Sequence, residues 1–166
     1  MPRIVPNLWF DTNAREAAEF YVSVFPNSRI TGTSHYTEAR PGPGGPGSLL
    51  TISFELDGTP VLAINGGPAH AGFTETFSFM IECEDQAEID AYWSKLTADG
   101  GSEGPCGWCK DRFGFSWQVV PKGIDRFWAD HDEAAVNRAM SALFEMRKID
   151  VAALRAAAAG ETAPSA

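Results

Sequence analysis

Histidine and cysteine are scarce in this chain of 166 residues, which contains only three of each. An odd number of cysteines does not indicate a disulfide framework, so we expect reduced thiols and a cytoplasmic location. The chain also lacks an apolar run of the ~20 residues that are needed to cross a bilayer. The amino terminus has no apolar run of signal-peptide length. We therefore expect neither a membrane-spanning segment nor a secretory leader.

Positive charge is also in short supply, because 13 Lys and Arg residues stand against 22 Asp and Glu residues and the net charge is -9. The basic residues are scattered and form no run that would follow a phosphate backbone. We therefore expect no nucleic-acid partner. The remaining composition, 44% hydrophobic and 21% charged, is typical of an ordinary globular protein with a real core.

The order of predicted elements occurs twice along the chain. Each half begins with a strand, continues with a helix and ends with further strands. The first half is predicted to contain a strand at 3–10, a helix between a cap at Thr12 or Asn13 and Pro26, and strands at 28–37, 48–58 and 59–65. The second half is predicted to contain a strand at 75–83, a helix within 84–101 and two or more strands over 102–110 and 113–120. Helices capped by Asp130 or Asp132 and by Asp150 follow, with Val136, Met140, Leu143 and Phe144 on one stripe.

Apolar and polar residues alternate along the predicted strands, which gives each predicted sheet one polar face. In residues 48–58, the apolar Leu50, Ile52, Phe54 and Leu56 alternate with polar residues. If the apolar face packs against helices, the polar face lines a concave surface that suits a small aromatic or amphipathic ligand. The expected ligand-binding residues are Asn7, Trp9, Thr51, Ser53, Glu55, Ser78, Trp108, Ser116 and Gln118. The alternative is that this face is solvated or lies between subunits.

Two motifs have simple structural interpretations. Cys106 and Cys109 have Cys-x-x-Cys spacing, but on one extended strand their Cα atoms would lie roughly 10 Å apart, whereas a disulfide tolerates about 7 Å. We therefore expect structural cysteines, with a redox or metal role as the alternative. The segment 39–47 is too rich in Pro and Gly for regular structure, which predicts a mobile loop. Whether it covers a cavity mouth is left open by the sequence.

The duplicated order, together with "PNLWFDTNAREAAEFYVSVFP", "CGWCKDRFGFSWQVVP" and "MSALFEMRKIDVAALRAA", resembles the PhnB-like group of the vicinal oxygen chelate superfamily. That superfamily includes glyoxalase I, extradiol dioxygenases and fosfomycin and bleomycin resistance proteins. The resemblance implies an α+β fold in which two βαβββ modules form a cupped mixed sheet, usually in a homodimer. Residues 1–124 would form one glyoxalase-like domain with modules at about 1–66 and 74–122, and residues 125–160 a helical extension.

The resemblance also implies where a metal site would lie, because enzymes of this superfamily hold a divalent metal with His and Glu on four inner strands. The matching positions here are "IVPNL", the region around Leu62, the region around Phe77 and Ser78, and Gln118. None carries His or a carboxylate, so we expect no metal cofactor. A recruited site that includes Glu55 or Glu82 is the alternative.

We therefore expect a small-molecule binding protein without the usual metal. One alternative is an enzyme, either metal-dependent with an altered ligand set or an acid–base catalyst that uses Glu55 or Glu82. Another is a structural or regulatory dimer with an occluded cavity. Proteins that resemble this one are often labelled 3-demethylubiquinone 3-methyltransferase domain proteins. We do not expect that activity, because the only Gly-rich stretch, "GPGGPG", precedes a strand and not a helix.

Overall fold

The computed structural model describes residues 2–70 and 72–161. The chain divides into two compact units, residues 1–72 and 73–166. Each unit contains one βαβββ module, and the second unit also contains the C-terminal helices. Within the described residues, no helix is both long enough and apolar enough to span a membrane.

The first unit contains a four-stranded mixed sheet with one helix against it. Its elements are β1 (Asn7–Phe10), α1 (Ala14–Val24), β2 (Arg29–His35), β3 (Leu49–Leu56), β4 (Thr59–Asn65) and a short 3-10 helix (Pro68–His70). The strand order is β1-β4-β3-β2, with β1 parallel to β4 and the other pairs antiparallel. Asp57 and Gly58 both have positive φ in the turn between β3 and β4, which is the conformation that favours Asp-Gly in tight hairpins.

The second unit repeats this topology. Its elements are β5 (Ser78–Cys83), α2 (Gln86–Thr97), β6 (Ser102–Glu103), β7 (Trp108–Lys110), β8 (Ser116–Pro121), α3 (Ile124–Asp130), α4 (Glu133–Glu145) and α5 (Val151–Ala159). The strand order is β5-β8-β7-β6, and the only parallel pair described in this sheet is β5 with β8. The predicted duplication is therefore confirmed at the level of sheet topology.

Each helix buries one apolar stripe against its own sheet. Ala17, Tyr21 and Val24 are buried on α1, and Ile89, Trp93 and Leu96 are buried on α2, as their helical spacing predicts. On β3, Ile52, Phe54 and Leu56 are buried, whereas the polar residues between them are only partly covered. The α+β fold class is confirmed, and each sheet keeps one face free of its helix.

Several predicted boundaries differ from the structure. The first strand begins at Asn7 and not at residue 3, and the last begins at Ser116 and not at 113. Residues 102–110 belong to the region predicted to form two or more strands, and they form the β6–β7 hairpin, because Cys106 and Gly107 adopt positive φ and reverse the chain. The stretch 39–47 contains tight turns, including a bond from Gly45 N to Gly42 O, and no regular element.

The helix caps and the C-terminal stripe also required correction. Neither expected residue caps α1 with its side chain: Asn13 occupies the N-cap position but makes no such bond. Asp132 and Asp150 do cap α4 and α5. On α4 the buried residues are Ala135 and Ala139, whereas Phe144 of the predicted stripe is 66% exposed. Small alanines let α4 and α5 approach closely, so the contact centres on Ala135 and Ala139, and Leu143 of the predicted stripe packs against the same cluster. The cluster there also contains Val120, Ile149, Leu154 and Ala158.

Candidate functional site: a groove on the second unit

One row of polar residues crosses the second sheet from edge to edge. The strand registers place Ser78 opposite Ser116, Ser116 opposite Lys110, and Lys110 opposite Ser102. Because residues in register project to the same face of a sheet, these four side chains share the face that α2 does not cover. The row therefore sets one ammonium group among three hydroxyl groups.

A second row lies next to it, two residues along each strand. Met80 is in register with Gln118, and Gln118 with Trp108. The Nε2 of Gln118 donates a hydrogen bond of 2.9 Å to the Oγ of Ser78, which joins the two rows. Trp108 contributes a partly buried indole beside Lys110.

A groove of about 530 Å³ opens beside these rows. Its lining combines apolar residues with two serines, one lysine and two glutamates. The residues that line it are Glu75, Ser102, Glu103, Gly104, Pro105, Trp108, Cys109, Lys110 and Ser116. A volume of this size matches the pockets in which proteins hold small organic ligands.

Ser116 is the one groove residue whose hydrogen bonding is incomplete within the described chain. Its side chain is 1% exposed, and its Oγ has no hydrogen-bond partner among the described residues. A buried hydroxyl that makes no hydrogen bond costs free energy, because it has lost water without replacement. A ligand atom in the groove that bonded to this hydroxyl would remove the cost.

Lys110 carries the positive charge of the groove. Its Nζ lies 2.5 Å from Oε1 of Glu75, and the two side chains are 37% and 63% exposed. The hydrogen bond from Lys110 holds the pKa of the Glu75 carboxyl below its ordinary value. The groove therefore contains an internal ion pair at its mouth, made by a residue of the turn that precedes β5.

Glu103 is tied into the wall by other groups. Its Oε1 accepts a 2.9 Å hydrogen bond from Nε1 of Trp93, and its Oε2 lies 3.8 Å from Arg147. These contacts orient the carboxylate, and they leave Lys110 and Ser116 as the polar groups best placed to meet a ligand.

Of the predicted binding residues, Ser78, Trp108, Ser116 and Gln118 lie on the face just described. The first sheet brings together the other five: Asn7, Trp9, Thr51, Ser53 and Glu55 lie on the face opposite α1. The burial of Leu8 and Phe10 agrees with the prediction that Asn7 and Trp9 project from the opposite face of β1. Whether any of the nine contacts a ligand stays a prediction.

Three of the predicted residues of the first sheet already have partners elsewhere in the first unit. The hydroxyls of Thr51 and Ser34 lie 2.6 Å apart, and the carboxylate of Glu55 lies 2.7 Å from the Arg29 guanidinium. Trp9 donates from Nε1 to the carbonyl of Gly67 and meets His70 edge to face. Of the two weak catalytic candidates, Glu55 is thus held in a cross-strand ion pair, and Glu82 is exposed.

Sequence reasoning missed Lys110, Glu75 and Glu103. A signal for Lys110 was available, because it follows Trp108 by two residues and so shares its face. Glu75 and Glu103 had no such signal: the first lies in a turn, and the second lies in a hairpin whose turn position the sequence did not predict.

The cysteines serve packing and not the groove's chemistry. All three described cysteines are free. Burial raises the pKa of Cys109 to about 12, and the carboxylates of Asp111 and Glu103 add to the effect. Burial also raises the pKa of Cys83 to about 12. Cys106 lies in a turn and not on the strand of Cys109. The Cα distance expected for two residues of one extended strand therefore does not apply to this pair, and that argument against a disulfide was wrong.

The residues do not fit the metal that the superfamily resemblance implies. In the first unit the matching positions carry Asn7 and Leu62, which are paired across β1 and β4. In the second unit they carry Ser78 and Gln118, which bond to each other. Within residues 2–70 and 72–161, no three His, Cys, Asp or Glu side chains lie close enough to hold one metal ion. Two amides and one hydroxyl are poor donors for a divalent metal, so no chemical step is assigned to one.

The chain matches a known protein family and resembles proteins of known structure. A family model described as 3-demethylubiquinone-9 3-methyltransferase matches residues 2–120. A PhnB protein from Bacillus cereus, described in the same terms, is 32% identical over 72% of this chain and 99% of its own, with a TM-score of 0.62. No curated protein matches significantly.

More distant structures share the fold alone. Protein PA1353 from Pseudomonas aeruginosa is 21% identical over 74% of this chain and 98% of its own, with a TM-score of 0.61. The fosfomycin resistance protein FosX from Listeria monocytogenes is 12% identical over 78% of this chain and 96% of its own, with a TM-score of 0.52. The chain therefore belongs to the 3-demethylubiquinone-9 3-methyltransferase (PhnB) family.

Proposed function

We propose that this protein binds a small organic molecule in the groove of its second unit, without a metal ion. The observation that carries the proposal is the Oγ of Ser116, which is buried in the groove wall without a partner among the described residues. Trp108 supplies an apolar plate next to it, and aromatic plates with a few polar groups are typical of ligand sites. We assign no catalytic step, since neither Glu55 nor Glu82 lines the groove.

We do not propose methyl transfer, although the family model is described as a methyltransferase. Transferases that use S-adenosylmethionine commonly bind it at a Gly-rich turn between a strand and a helix. Here the glycines of residues 42–47 lie in turns that lead into β3. The chain thus offers no such turn at its Gly-rich stretch, which favours a binding role over methyl transfer.

A homodimer in the cytoplasm is the second part of the proposal. Phe77 and Met80 are 51% and 53% exposed, although both are large and apolar. Six of the seven residues of the edge strand β2 are exposed as well. Exposed apolar side chains and open sheet edges are usually covered by another chain.

Titration of nitrogen-15 labelled protein tests the binding role. The probes are benzyl alcohol, benzamide, aniline and benzoate, in buffer that contains a chelator, and the readout is the indole N–H signal of Trp108, identified with Trp108→Phe. We expect at least one probe to shift this signal saturably and Ser116→Ala to weaken its binding, while Ser94→Ala on the exposed side of α2 leaves it unchanged. No shift at millimolar concentrations, or binding that the chelator abolishes, would contradict the proposal.

A further inference from the structure

The polar row of the second sheet has a single charged member, and its neighbours are all hydroxyls. Lys110 stands between Ser116 and Ser102 across the strands, and Ser78 completes the row. Ammonium and hydroxyl groups on one face are hydrogen-bond donors, and neighbours in this row lie on adjacent strands, about 4.8 Å apart. Such a set is suited to an acceptor with more than one oxygen atom.

The side-chain carboxylate of Glu75, a residue of this same chain, already occupies part of this position. Glu75 reaches Lys110 from a turn, and 63% of its side chain is exposed. An exposed ion pair of this kind contributes little to stability, so a competing anion can displace Glu75 from the ammonium. Glu75 does not satisfy Ser116, whose Oγ is left without a partner among the described residues.

The charge around the row limits the anion that fits. Among the residues that line the groove, Lys110 is the one cation, and the carboxylate of Glu75 lies beside it. The carboxylate of Glu103 bonds to Trp93 of α2, on the other face of the sheet. A dianion would set two negative charges against one ammonium with the Glu75 carboxylate still nearby, which is unfavourable because like charges repel. A monoanion carboxylate matches one ammonium and one free hydroxyl, and Trp108 offers a surface for the rest of the molecule.

We propose that the groove holds a small monocarboxylic acid, whose carboxylate replaces Glu75 at Lys110 Nζ and accepts a hydrogen bond from Ser116 Oγ while its apolar body lies against Trp108. This inference rests on the proposed binding function and adds the class of ligand. Glu75 is then an internal competitor that keeps the ammonium neutralised when no acid is bound.

Benzoate and benzamide form the matched pair of probes, because they differ only in the charged oxygen that the proposal requires. Binding is followed through the Trp108 indole signal, with inorganic phosphate as a dianion. Lys110→Met should weaken benzoate binding by about tenfold, since a hydrogen bond to a charged group is lost. Lys122→Met is the control, because Lys122 forms a comparable exposed pair with Glu84 in the same unit but outside the groove. Glu75→Gln should strengthen benzoate binding by about threefold, by removing the competitor.

The outcomes separate this inference from the proposed function. Preference for benzoate over benzamide, lost in Lys110→Met and increased in Glu75→Gln, supports the carboxylate site. Equal binding of benzoate and benzamide, with no effect of Lys110→Met, overturns it and leaves the binding function standing. Tighter binding of phosphate than of benzoate also overturns it. Failure of every probe overturns both. The amide spectrum of each variant shows whether it is folded, so a loss of binding is not mistaken for unfolding.

Discussion

Asn65, the last residue of β4, connects three parts of the first unit through one amide group. Its Oδ1 accepts a 2.8 Å hydrogen bond from the backbone N of Ala14, the first residue of α1. Its Nδ2 donates to the carbonyl of Leu49, and its own carbonyl accepts from the hydroxyl of Tyr36. The N-terminal cap of α1 is therefore supplied from a distant strand, 51 residues along the chain.

Asn65→Ala is expected to lower the free energy of unfolding by about 1–3 kcal/mol, because it leaves a buried backbone donor without a partner. Asn13→Ala is the matched control, since Asn13 occupies the N-cap position without making a side-chain cap bond. Its effect should stay within about 0.5 kcal/mol. Urea denaturation of both variants measures the difference, and equal losses would show that Asn65 does not cap the helix.

At the scale of elements, the β6–β7 turn holds the linker between α4 and α5. The backbone N–H groups of Cys106 and Gly107 donate to the carbonyls of Met146 and Arg147, at 2.8 and 2.7 Å. The thiol of Cys106 also donates to the carbonyl of Leu143. The Cys-x-x-Cys spacing is thus part of a structural contact: one cysteine anchors the C-terminal helices, and the other packs in the sheet.

Gly107 and Gly114 form a natural pair for testing this turn, because both have φ of +82°. A Cβ at Gly107 would lie 2.8 Å from the carbonyl oxygen of Val119 and 2.9 Å from Ile149, whereas a Cβ at Gly114 meets nothing within 4 Å. We expect Gly114→Ala to cost about 1–2 kcal/mol from backbone strain alone. Gly107→Ala should cost at least about 1 kcal/mol more, from overpacking.

Thermal and urea unfolding of the two alanine variants measure that difference. Near-UV circular dichroism adds a local readout, since Trp108 follows Gly107 directly. A Gly107→Ala variant as stable as Gly114→Ala would mean that the turn and the C-terminal linker are not packed as described.

At the scale of the whole molecule, the two modules share one topology, but their sheets carry different polar groups on the face that the helix does not cover. In the first unit the register sets Gly32 opposite Ser53 and Ser34 opposite Thr51, and the latter two hydroxyls bond to each other. In the second unit the equivalent face carries Lys110 and the unpaired hydroxyl of Ser116. Duplication of a fold therefore left only one of the two sheets, within the described residues, with an unsatisfied buried hydroxyl.

The intact protein is expected to be a homodimer, as the resemblance to its family implies and as its exposed apolar side chains favour. Light scattering coupled to size exclusion should give twice the mass of the chain, and the mass should fall only on strong dilution. A mass of one chain at every concentration from low to high micromolar would contradict this prediction.

The sequence by itself determined what depends on near neighbours. The alternation at Leu50 to Leu56 predicted β3 and its buried face, the spacing of Ile89, Trp93 and Leu96 predicted α2, and Asp57-Gly58 predicted a turn. These features follow from local periodicity and from the backbone preferences of single residues, so they can be predicted from a short window. The duplication followed because the same local patterns recur in the same order.

Tertiary structure alone decided what depends on register and on distant partners. Sequence could not show that Asn65 caps α1, that Ala135 and Ala139 form the buried centre of α4, or that Lys110 stands beside Ser116. A shift of one residue in strand pairing would send Lys110 to the other face, and nothing within its own segment specifies that pairing. The candidate site exists because the packing of the second unit sets β7 against β8 in one register, which places an ammonium next to a buried hydroxyl.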